Sequence, residues 1–382
     1  MRRTIGAVVS AFLFATSLSV IVHPVAGAVL FTPLYSWGEN GFGQLGLGST
    51  TDQLFATHVG SKQWVSVSAG DAHSLGIRAD GSLWSWGDNY AGQLGIGSTT
   101  DHPTPVQIGT HKWLAISAGG GHSLGIRADG SLWSWGDNYG GQLGNGSTTD
   151  QLAPVKIGTN RWFAVSAGGG HSLGIRADGT LRAWGHNAFG QVGSGSTTDQ
   201  LAPIKIGTNK WLSVSAGAGH SLGIRADGTL RAWGFNAEGQ LGIGTKLDRL
   251  APTGVDPGPW SSISAGGNHS LGIKAGGSLW AWGYNGDGAL GDGTELGKDS
   301  PVHIGVGKWR GIDAGRFHSL GIRAAGTLRA WGYNYSGQLG DGTTINRLAP
   351  VLIDGGNWKS ASAGGNHSMA IKEVAISIVP LP

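Results

Sequence analysis

The sequence predicts an all-β fold, a seven-bladed β-propeller of four-stranded blades with one blade for every 49 residues. Three observations predict this fold: a repeat of fixed period, a composition rich in glycine and poor in charge, and four short strand patterns within each repeat. Self-similarity at a period of 20 to 50 residues is typical of solenoids and propellers. The period therefore sets the fold class before any local motif is considered.

Three residue series define the repeat, and each advances by 49 residues without insertion or deletion. The tryptophans of the Trp-Gly pairs are Trp37, Trp86, Trp135, Trp184, Trp233, Trp282 and Trp331. The second tryptophan series is Trp64, Trp113, Trp162, Trp211, Trp260, Trp309 and Trp358. The histidine series is His73, His122, His171, His220, His269, His318 and His367.

The composition agrees with a repeat protein made of strands and tight turns. Glycine accounts for 72 of the 382 residues, whereas roughly 7% is usual. Only 13% of the residues are charged, whereas roughly 25% is usual. Because Trp, Val, Ile and Leu still give each unit residues to bury, the glycines indicate turns rather than disorder. A chain of this length is longer than a single hydrophobic core usually supports. A ring of small repeats avoids this size limit, because each repeat packs only against its neighbours.

Each repeat contains four strand patterns. In one unit these are residues 112–119, 122–128, 131–136 and 154–158. The Asp129-Gly130 pair between the second and third patterns predicts a tight hairpin, because such turns need a positive φ. Four strands in about 49 residues fit one propeller blade.

The two ends of the repeat array are complementary halves of one blade. No His-Ser-Leu strand precedes the first Trp-Gly pair, and no Trp-Gly strand follows the last histidine. We therefore expect residues 34–38 to pair beside residues 367–372 and so remove the exposed strand edges that an open array would leave.

One unit reads GHSLGIRADGSLWSWGDNYGGQLGNG (residues 121–146). It resembles the repeat of the regulator of chromosome condensation family, and the resemblance covers residues 34 to about 372. WD-repeat and kelch patterns fit less well, since neither the Trp-Asp ending nor the double-glycine strand is present. The resemblance implies a seven-bladed propeller, and the family name suggests guanine-nucleotide exchange on a small GTPase. The uniform 49-residue steps and the expected export argue against that activity.

The terminal segments differ from the repeats. Arg2 and Arg3 precede an apolar run at residues 5–22, and small residues follow at 26–28. This layout predicts a signal peptide at 1–28 and a secreted, periplasmic or cell-envelope protein; the alternative is an N-terminal membrane anchor. The propeller is expected at 29–373. The tail at 374–382 resembles the start of a bacterial sorting signal, or is a strand stopped by proline.

Charge and motifs give little support to nucleic-acid binding or catalysis. Removing Arg2 and Arg3 leaves 24 basic and 23 acidic residues, so the whole chain has no basic excess for nucleic acid. Outside the repeat we find no nucleophile-base-acid set, no phosphate-cradling loop and no HExxH motif. Seven equivalent histidines cannot share one pocket, and we interpret them as structural residues that hydrogen-bond loop backbone. We expect no enzymatic activity, no cofactor and no bound metal.

Function is expected where the seven copies differ, which is the loop after each Trp-Gly pair. Equivalent loops of a ring lie at the same end, and aromatic-rich surfaces of low charge are typical of protein-binding sites. The candidate residues are Phe42, Tyr90, Tyr139, His186, Phe189, Phe235, Glu238, Tyr284, Asp287, Tyr333 and Tyr335, together with the Arg316-Phe317 pair. The sequence thus predicts a monomeric exported scaffold that binds a protein. The alternatives are drift between duplicated units, a glycan-binding or glycan-processing envelope enzyme and, by family analogy alone, an exchange factor.

Overall fold

The computed structural model describes residues 28–377, and within this range all the regular elements are β-strands. The predicted signal peptide, apart from Ala28, and residues 378–382 of the tail lie outside the described residues. In chain order the strands are β1 (Ala28–Phe31), β2 (Leu34–Gly38), β3 (Gln53–His58), β4 (Trp64–Ala69), β5 (His73–Arg78), β6 (Ser82–Gly87), β7 (His102–Ala118), β8 (His122–Arg127), β9 (Ser131–Gly136), β10 (Gln151–Ala167), β11 (His171–Arg176), β12 (Thr180–Gly185), β13 (Gln200–Ala216), β14 (His220–Arg225), β15 (Leu230–Gly234), β16 (Arg249–Gly254), β17 (Trp260–Ala265), β18 (His269–Lys274), β19 (Leu279–Gly283), β20 (Lys298–His303), β21 (Trp309–Ala314), β22 (His318–Arg323), β23 (Leu328–Gly332), β24 (Arg347–Asp354), β25 (Trp358–Ala363), β26 (His367–Lys372) and β27 (Val374–Ser377).

These strands form seven antiparallel four-stranded blades, as the repeat predicts. The first strand of each blade begins at a tryptophan of the second series and contacts the first strands of both neighbouring blades. The ring closes because β25 contacts β4. We number the blades from 1, which is completed by β2 and β3, to 7, which ends with β24.

The fourth strand of a blade differs in length from the prediction. It begins at Gln151 rather than at Pro154, and at three places it continues without a break into the first strand of the next blade, forming β7, β10 and β13. Blades 2 to 5 are therefore joined in one 13-stranded sheet. The sequence segments that differ, such as residues 254–259, contain Asp, Pro and Gly in place of Gly-Thr-Asn-Lys, and proline and glycine interrupt strand pairing there.

The predicted closure of the ring is confirmed. Strand β2 pairs with β26 in antiparallel register from Leu34 opposite Ile371 to Gly38 opposite His367. Blade 1 consequently has the order β25-β26-β2-β3 and is built from both ends of the chain. Outside this blade, β1 pairs with β27, so residues 374–377 of the predicted tail form a strand.

The glycines serve the turns and close contacts that the composition predicts. In the hairpin between β8 and β9, Gly130 has a φ of +81°, whereas no residue other than glycine has a positive φ in the described part of the chain. The Gly130 amide donates to the Arg127 carbonyl (2.8 Å), and Asp129 accepts bonds from the amide and hydroxyl of Ser131. Beside a buried tryptophan, Gly136 (φ +98°) lies where a Cβ atom would come within 2.6 Å of the Gly121 carbonyl oxygen.

The core consists of separate apolar layers between neighbouring blades. One layer joins Leu124, Ile126 and Leu132 of blade 3 to Trp162 and Trp184 of blade 4. The rings of such tryptophan pairs meet edge to face at about 5.7 Å, and each Trp-Gly tryptophan is fully buried. Its indole N–H donates to a loop carbonyl of the preceding blade, as from Trp184 to Gln142 (2.8 Å). These tryptophans therefore pack between the blades.

The ring has two distinct ends. At one end, the short loop from first to second strand, such as residues 70–72, lies beside the long loop after Trp-Gly, such as residues 88–101. We call this end the loop face. At the other end lie the Asp-Gly hairpins, such as residues 79–81, and the connections from one blade to the next, such as residues 59–63. We call this end the hairpin face.

Candidate functional site

The long loop after each Trp-Gly pair is fixed by one buried asparagine. Asn89 donates from Nδ2 to the carbonyls of Ser98 (2.8 Å) and Thr100 (2.9 Å), and its Oδ1 accepts from the Leu94 amide (2.9 Å). Its own amide donates to Asp101 Oδ1 (2.8 Å). The asparagine therefore holds the backbone of the loop at both of its ends. Because the loop is rigid, the variable side chains beside Asn89 project from fixed positions.

All the candidate residues lie on the loop face, since they belong to its two kinds of loop. Phe42, Tyr90, Tyr139, Phe189, Tyr335 and Arg316 are exposed, and the exposed fraction reaches 85% at Tyr139. The candidate residues that are half-buried are His186, Phe235, Glu238, Tyr284, Asp287, Phe317 and Tyr333. The loop face therefore presents aromatic side chains to solvent at positions that do not serve the repeat packing.

The structure brings one subset of these residues together. The Phe317 ring meets Tyr284 edge to face at 5.8 Å and Tyr333 at 6.3 Å, and Tyr333 lies 4.8 Å from Tyr335. The Arg316 guanidinium lies 5.6 Å from the centre of the Phe317 ring. We call Tyr284, Arg316, Phe317, Tyr333 and Tyr335 the aromatic cluster. The Arg316-Phe317 pair, which the sequence treats as a separate irregularity, is its centre.

The remaining candidates lie apart from this cluster. Phe189 and Phe235 form a smaller pair, with ring centres 4.7 Å apart. In blades 2 and 3, Tyr90 and Tyr139 lie two residues after an aspartate and make no ring contact with another aromatic side chain of the described residues. The aromatic candidates are thus unevenly distributed around the loop face, with the largest group on blades 6 and 7.

Burial and the neighbouring Asp287 carboxylate keep Tyr284 and Tyr333 of the cluster as neutral phenols. The Tyr284 hydroxyl donates to Asp287 Oδ2 (3.2 Å), and Asn346 donates to the other oxygen of Asp287 (3.2 Å). Burial and the Asp287 carboxylate raise the pKa of Tyr284, and burial followed by Asp287 raises the pKa of Tyr333. The Tyr284 proton is therefore engaged by Asp287, whereas the Tyr333 hydroxyl can donate a hydrogen bond to a partner at neutral pH.

Sequence reasoning missed two acidic residues near the ring axis. Asp71 and Arg316 are the charged members of a position that is Gly or Ala in the other blades. The side chain of Asp71 is exposed, but surrounding protein raises its pKa, and Arg316 offsets part of that rise. Asp313 replaces a serine found in the other copies; it accepts from Ser264 Oγ (2.8 Å) and the Ala363 amide (2.9 Å), and burial raises its pKa. Alignment of the seven copies could have identified both residues.

The histidines form a closed ring of bonds between blades. Each donates from Nε2 to a serine hydroxyl of the next blade at 2.8–2.9 Å, from His73 to Ser123 and so on until His367 reaches Ser74. Each serine donates its own proton to a loop carbonyl, such as Ser123 to Gln93 (2.8 Å), so the imidazole is the neutral Nε2–H tautomer. The structural interpretation of these buried residues holds, but their side-chain partner is serine rather than loop backbone.

We expect His171→Ala to lower the free energy of unfolding by about 1–3 kcal/mol, because it removes the bond to Ser221 and leaves a cavity in a fully buried site. Differential scanning calorimetry at pH 7.5 measures the change. Any partner binding should be retained below the melting temperature. Loss of binding in a variant of unchanged stability would instead assign the histidine a chemical role.

Other features of the described residues do not single out an active site. A cavity of about 690 Å³ lies between blades 2 and 3 and is lined by residues that include His102, His111 and Arg127. Similar grooves lie between other blades, so the repeat geometry itself accounts for them. In residues 28–377, no three His, Asp or Glu side chains converge as metal ligands, and no helix is long and apolar enough to cross a membrane.

Comparison with known sequences places the whole ring in one group. The model described as "Regulator of chromosome condensation (RCC1) repeat" matches residues 33–77, 80–126, 129–175, 178–224, 227–273, 276–322 and 325–371. A second model of the same repeat matches six segments between residues 64 and 338. No curated protein sequence matches the chain significantly.

Solved structures with similar folds include three propellers. Human WBSCR16 has a TM-score of 0.83 at 22% identity, covering 89% of this chain and 98% of its own. Yeast RCC1 (Prp20), in its complex with Kap60, has a TM-score of 0.82 at 21% identity, with 93% and 91% covered. Prp20p from Saccharomyces cerevisiae has a TM-score of 0.82 at 22% identity, with 93% of each chain covered. At these identities the similarity shows the fold alone.

Proposed function

Because the chain belongs to the regulator of chromosome condensation (RCC1) repeat family, we propose that it is a scaffold that binds another protein on its loop face and has no chemistry of its own. The observation that carries this proposal is the aromatic cluster. Four aromatic rings and one arginine occupy positions where the repeat requires none of them, and they meet at one place on a rigid surface.

The cluster has the composition of a binding hot spot. Tyrosine and arginine are enriched among residues that dominate binding energy, and such residues gather near the centre of an interface. Tyr335 is 68% exposed, while Phe317 and Tyr333 are half-buried beneath it. A partner can therefore cover Tyr335 and Arg316 without rearranging the loops, and the pre-formed surface keeps the entropic cost of binding small.

The similar structures support the class of ligand but not its identity. Yeast RCC1 (Prp20) was solved bound to Kap60, and the structural report of Prp20p describes its binding properties to Gsp1p and histones. Each of these ligands is a protein, which agrees with a protein partner for this propeller. Nucleotide exchange is not part of our proposal, because the shared fold carries no specific activity.

We also propose that the protein acts outside the cytoplasm, as a monomer before it meets its partner. The support is the N-terminal pattern of Arg2, Arg3, an apolar run and small residues at 26–28. N-terminal sequencing of the protein recovered from its source should begin near residue 28 or 29. An intact Met1 in the recovered protein would contradict cleavage.

The experiment that tests the scaffold proposal is a pull-down from the envelope fraction of the source organism. We expect the purified protein to retain one specific protein, identified by mass spectrometry and absent when the bait lacks the aromatic cluster. In parallel, the protein is offered a panel of polysaccharides and esters. Turnover of a panel compound, with no retained protein, would favour the alternative of a glycan-processing enzyme.

Removing two anchors of the cluster should weaken partner binding without unfolding the protein. For Tyr333→Ala combined with Tyr335→Ala we expect a loss of about 2–4 kcal/mol in binding free energy, the scale of hot-spot residues. Isothermal titration calorimetry with the recovered partner measures the loss. The matched control is Tyr90→Ala with Tyr139→Ala, which removes two tyrosines from the other side of the loop face. Equal weakening by both pairs would place the site elsewhere.

A further inference from the structure

The near-zero net charge of the chain hides a strong separation of charge along the ring axis. Of the 23 acidic residues, sixteen lie on the loop face or in the strand ends next to it, where only five basic residues lie. The other end of the ring contains nineteen basic residues and only seven acidic ones. The hairpin face is therefore strongly positive and the loop face strongly negative.

The positive charge of the hairpin face is built into the repeat. The second strand of every blade ends there in Arg or Lys, from Arg78 in blade 2 to Lys372 in blade 1. A further set of exposed cations precedes the buried tryptophans, namely Lys112, Arg161, Lys210 and Lys308. Arg161 donates to the Asp129 carbonyl (3.0 Å) and Lys210 to the Asp178 carbonyl (2.5 Å), so backbone oxygens hold these two side chains, while Lys112 lies 3.7 Å from the Asp80 carboxylate.

Exposed apolar side chains lie inside this basic surface, around the axis. The second residue of the first strand is Val65, Leu114, Phe163 and Leu212 in four consecutive blades, and these side chains are 43%, 65%, 44% and 43% exposed. Because neighbouring first strands contact one another, the four residues follow a continuous arc. In blades 7 and 1 the same position is basic, Arg310 and Lys359.

Both ends of the described chain leave the propeller at the hairpin face. The Thr32 carbonyl accepts from the Trp64 amide (3.0 Å) and the Pro33 carbonyl from the Lys372 amide (3.1 Å), which places the β1 and β27 pair next to this surface.

From this arrangement we infer that the hairpin face docks on a lipid bilayer that contains anionic headgroups, with the loop face directed away from the membrane. Basic side chains are attracted to the negative potential of such a surface. An apolar arc surrounded by cations can insert between headgroups while the cations stay at the interface. Nucleic acid would use the positive charge but would leave Leu114 and Phe163 without a matching surface. The inference does not rest on the partner proposed for the loop face.

The test is flotation of the full chain with lipid vesicles, either phosphatidylcholine alone or phosphatidylcholine with 30% phosphatidylglycerol. We expect at least tenfold tighter binding to the anionic vesicles at about 0.1 M salt, and loss of that difference at about 1 M salt, where charges are screened within ~3 Å. The comparison between the two vesicle types removes any contribution of residues 5–22 that is independent of charge.

Variants locate the interaction on the hairpin face. Lys112→Gln, Arg161→Gln and Lys210→Gln together should weaken binding to anionic vesicles by about 100-fold, at roughly fivefold for each cation lost near an anionic surface. The matched control on the loop face is Lys246→Gln, Arg249→Gln and Lys298→Gln, which should bind as the unmodified chain does. Leu114→Ser with Phe163→Ser should also weaken binding, and it leaves the charge unchanged. Circular dichroism checks that each variant is folded.

Two results would overturn this inference. One is equal binding to both vesicle types, or equal loss in the loop-face control. The other is a preference for nucleic acid: a 20-base-pair DNA duplex that displaces the protein from anionic vesicles and is retained in a gel shift at about 0.15 M salt would assign the basic face to nucleic acid instead.

Discussion

Lowering the pH from 7 to 5 is expected to unfold this protein, because the seven ring histidines must stay neutral. Burial lowers the pKa of each from 6.5 to about 3, or about 4 for His269. At pH 5 each histidine costs about 2 kcal/mol relative to its unfolded state, and the seven together cost roughly 14 kcal/mol. This matches or exceeds the whole stability of a typical protein, about 5–15 kcal/mol.

Folding stability depends on pH because the folded and unfolded states bind different numbers of protons. Between pH 6.5 and the folded pKa of about 3, the unfolded chain binds protons that the folded ring excludes, so stability falls as the pH falls through this window. Above pH 6.5 this dependence fades, and near pH 8 the histidines contribute almost none. Asp71 and Asp313, whose pKa values are raised in the folded state, act in the opposite direction and offset a small part of the loss.

The measurement is the melting temperature between pH 4.5 and 8, followed by near-ultraviolet circular dichroism of the buried tryptophans. The number of protons taken up on unfolding near pH 5.5 should approach seven. His171→Gln should reduce it by about one and flatten the dependence, although it lowers stability at pH 8. A melting temperature that stays constant from pH 8 to pH 4.5 would show that the ring accepts protons without opening.

The 49-residue period and the strand patterns were sufficient to predict the blades, because each blade is formed by a local pattern that is repeated seven times. The pairing of residues 34–38 with 367–372 could be predicted since a missing half-blade at one end matched a missing half at the other. The His–Ser ring could not, because its two partners belong to different blades and lie 50 residues apart. The sevenfold repetition of a histidine indicates a structural role, but it does not identify the side chain that the histidine contacts.

The positions of the variable loops could be predicted, whereas the place of Phe317 among their side chains could not. Variable loops on equivalent blades must lie at one end of a ring, so the eleven candidates in the loops after the Trp-Gly pairs were expected on one face. Which of them meet depends on rotamers and on the spacing between blades, and so the contact between Phe317 and Tyr284 has no signature in sequence. The separation of charge was hidden for a related reason, because the total of 24 basic and 23 acidic residues in 28–382 carries no information about the two ends.

Deletion of residues 29–38 is expected to abolish the native state, because it removes the strand that joins the two ends of the chain. Blade 1 would lose the pairing of β2 with both β26 and β3, the buried side chains of Leu34 and Trp37, and the bond from the Trp37 indole to the Gln338 carbonyl (2.9 Å). The edges of β26 and β3 would then present unpaired backbone groups, which favour aggregation. Size-exclusion chromatography with light scattering and thermal unfolding measure both effects.

A shorter deletion separates closure of the ring from the pairing outside it. Removing residues 29–31 takes away most of β1 and its pairing with β27 but leaves Leu34 opposite Ile371, so this control should remain monomeric and lose little stability. We expect β2 to contribute more to stability than a single strand normally does. The apolar layers between blades form a closed ring, so every blade is held from both sides. Opening blade 1 frees blades 7 and 2 at the same time, and we expect unfolding to spread from there. A monomeric 29–38 deletion with an unchanged melting temperature would mean that contacts between first strands hold the ring without a shared blade.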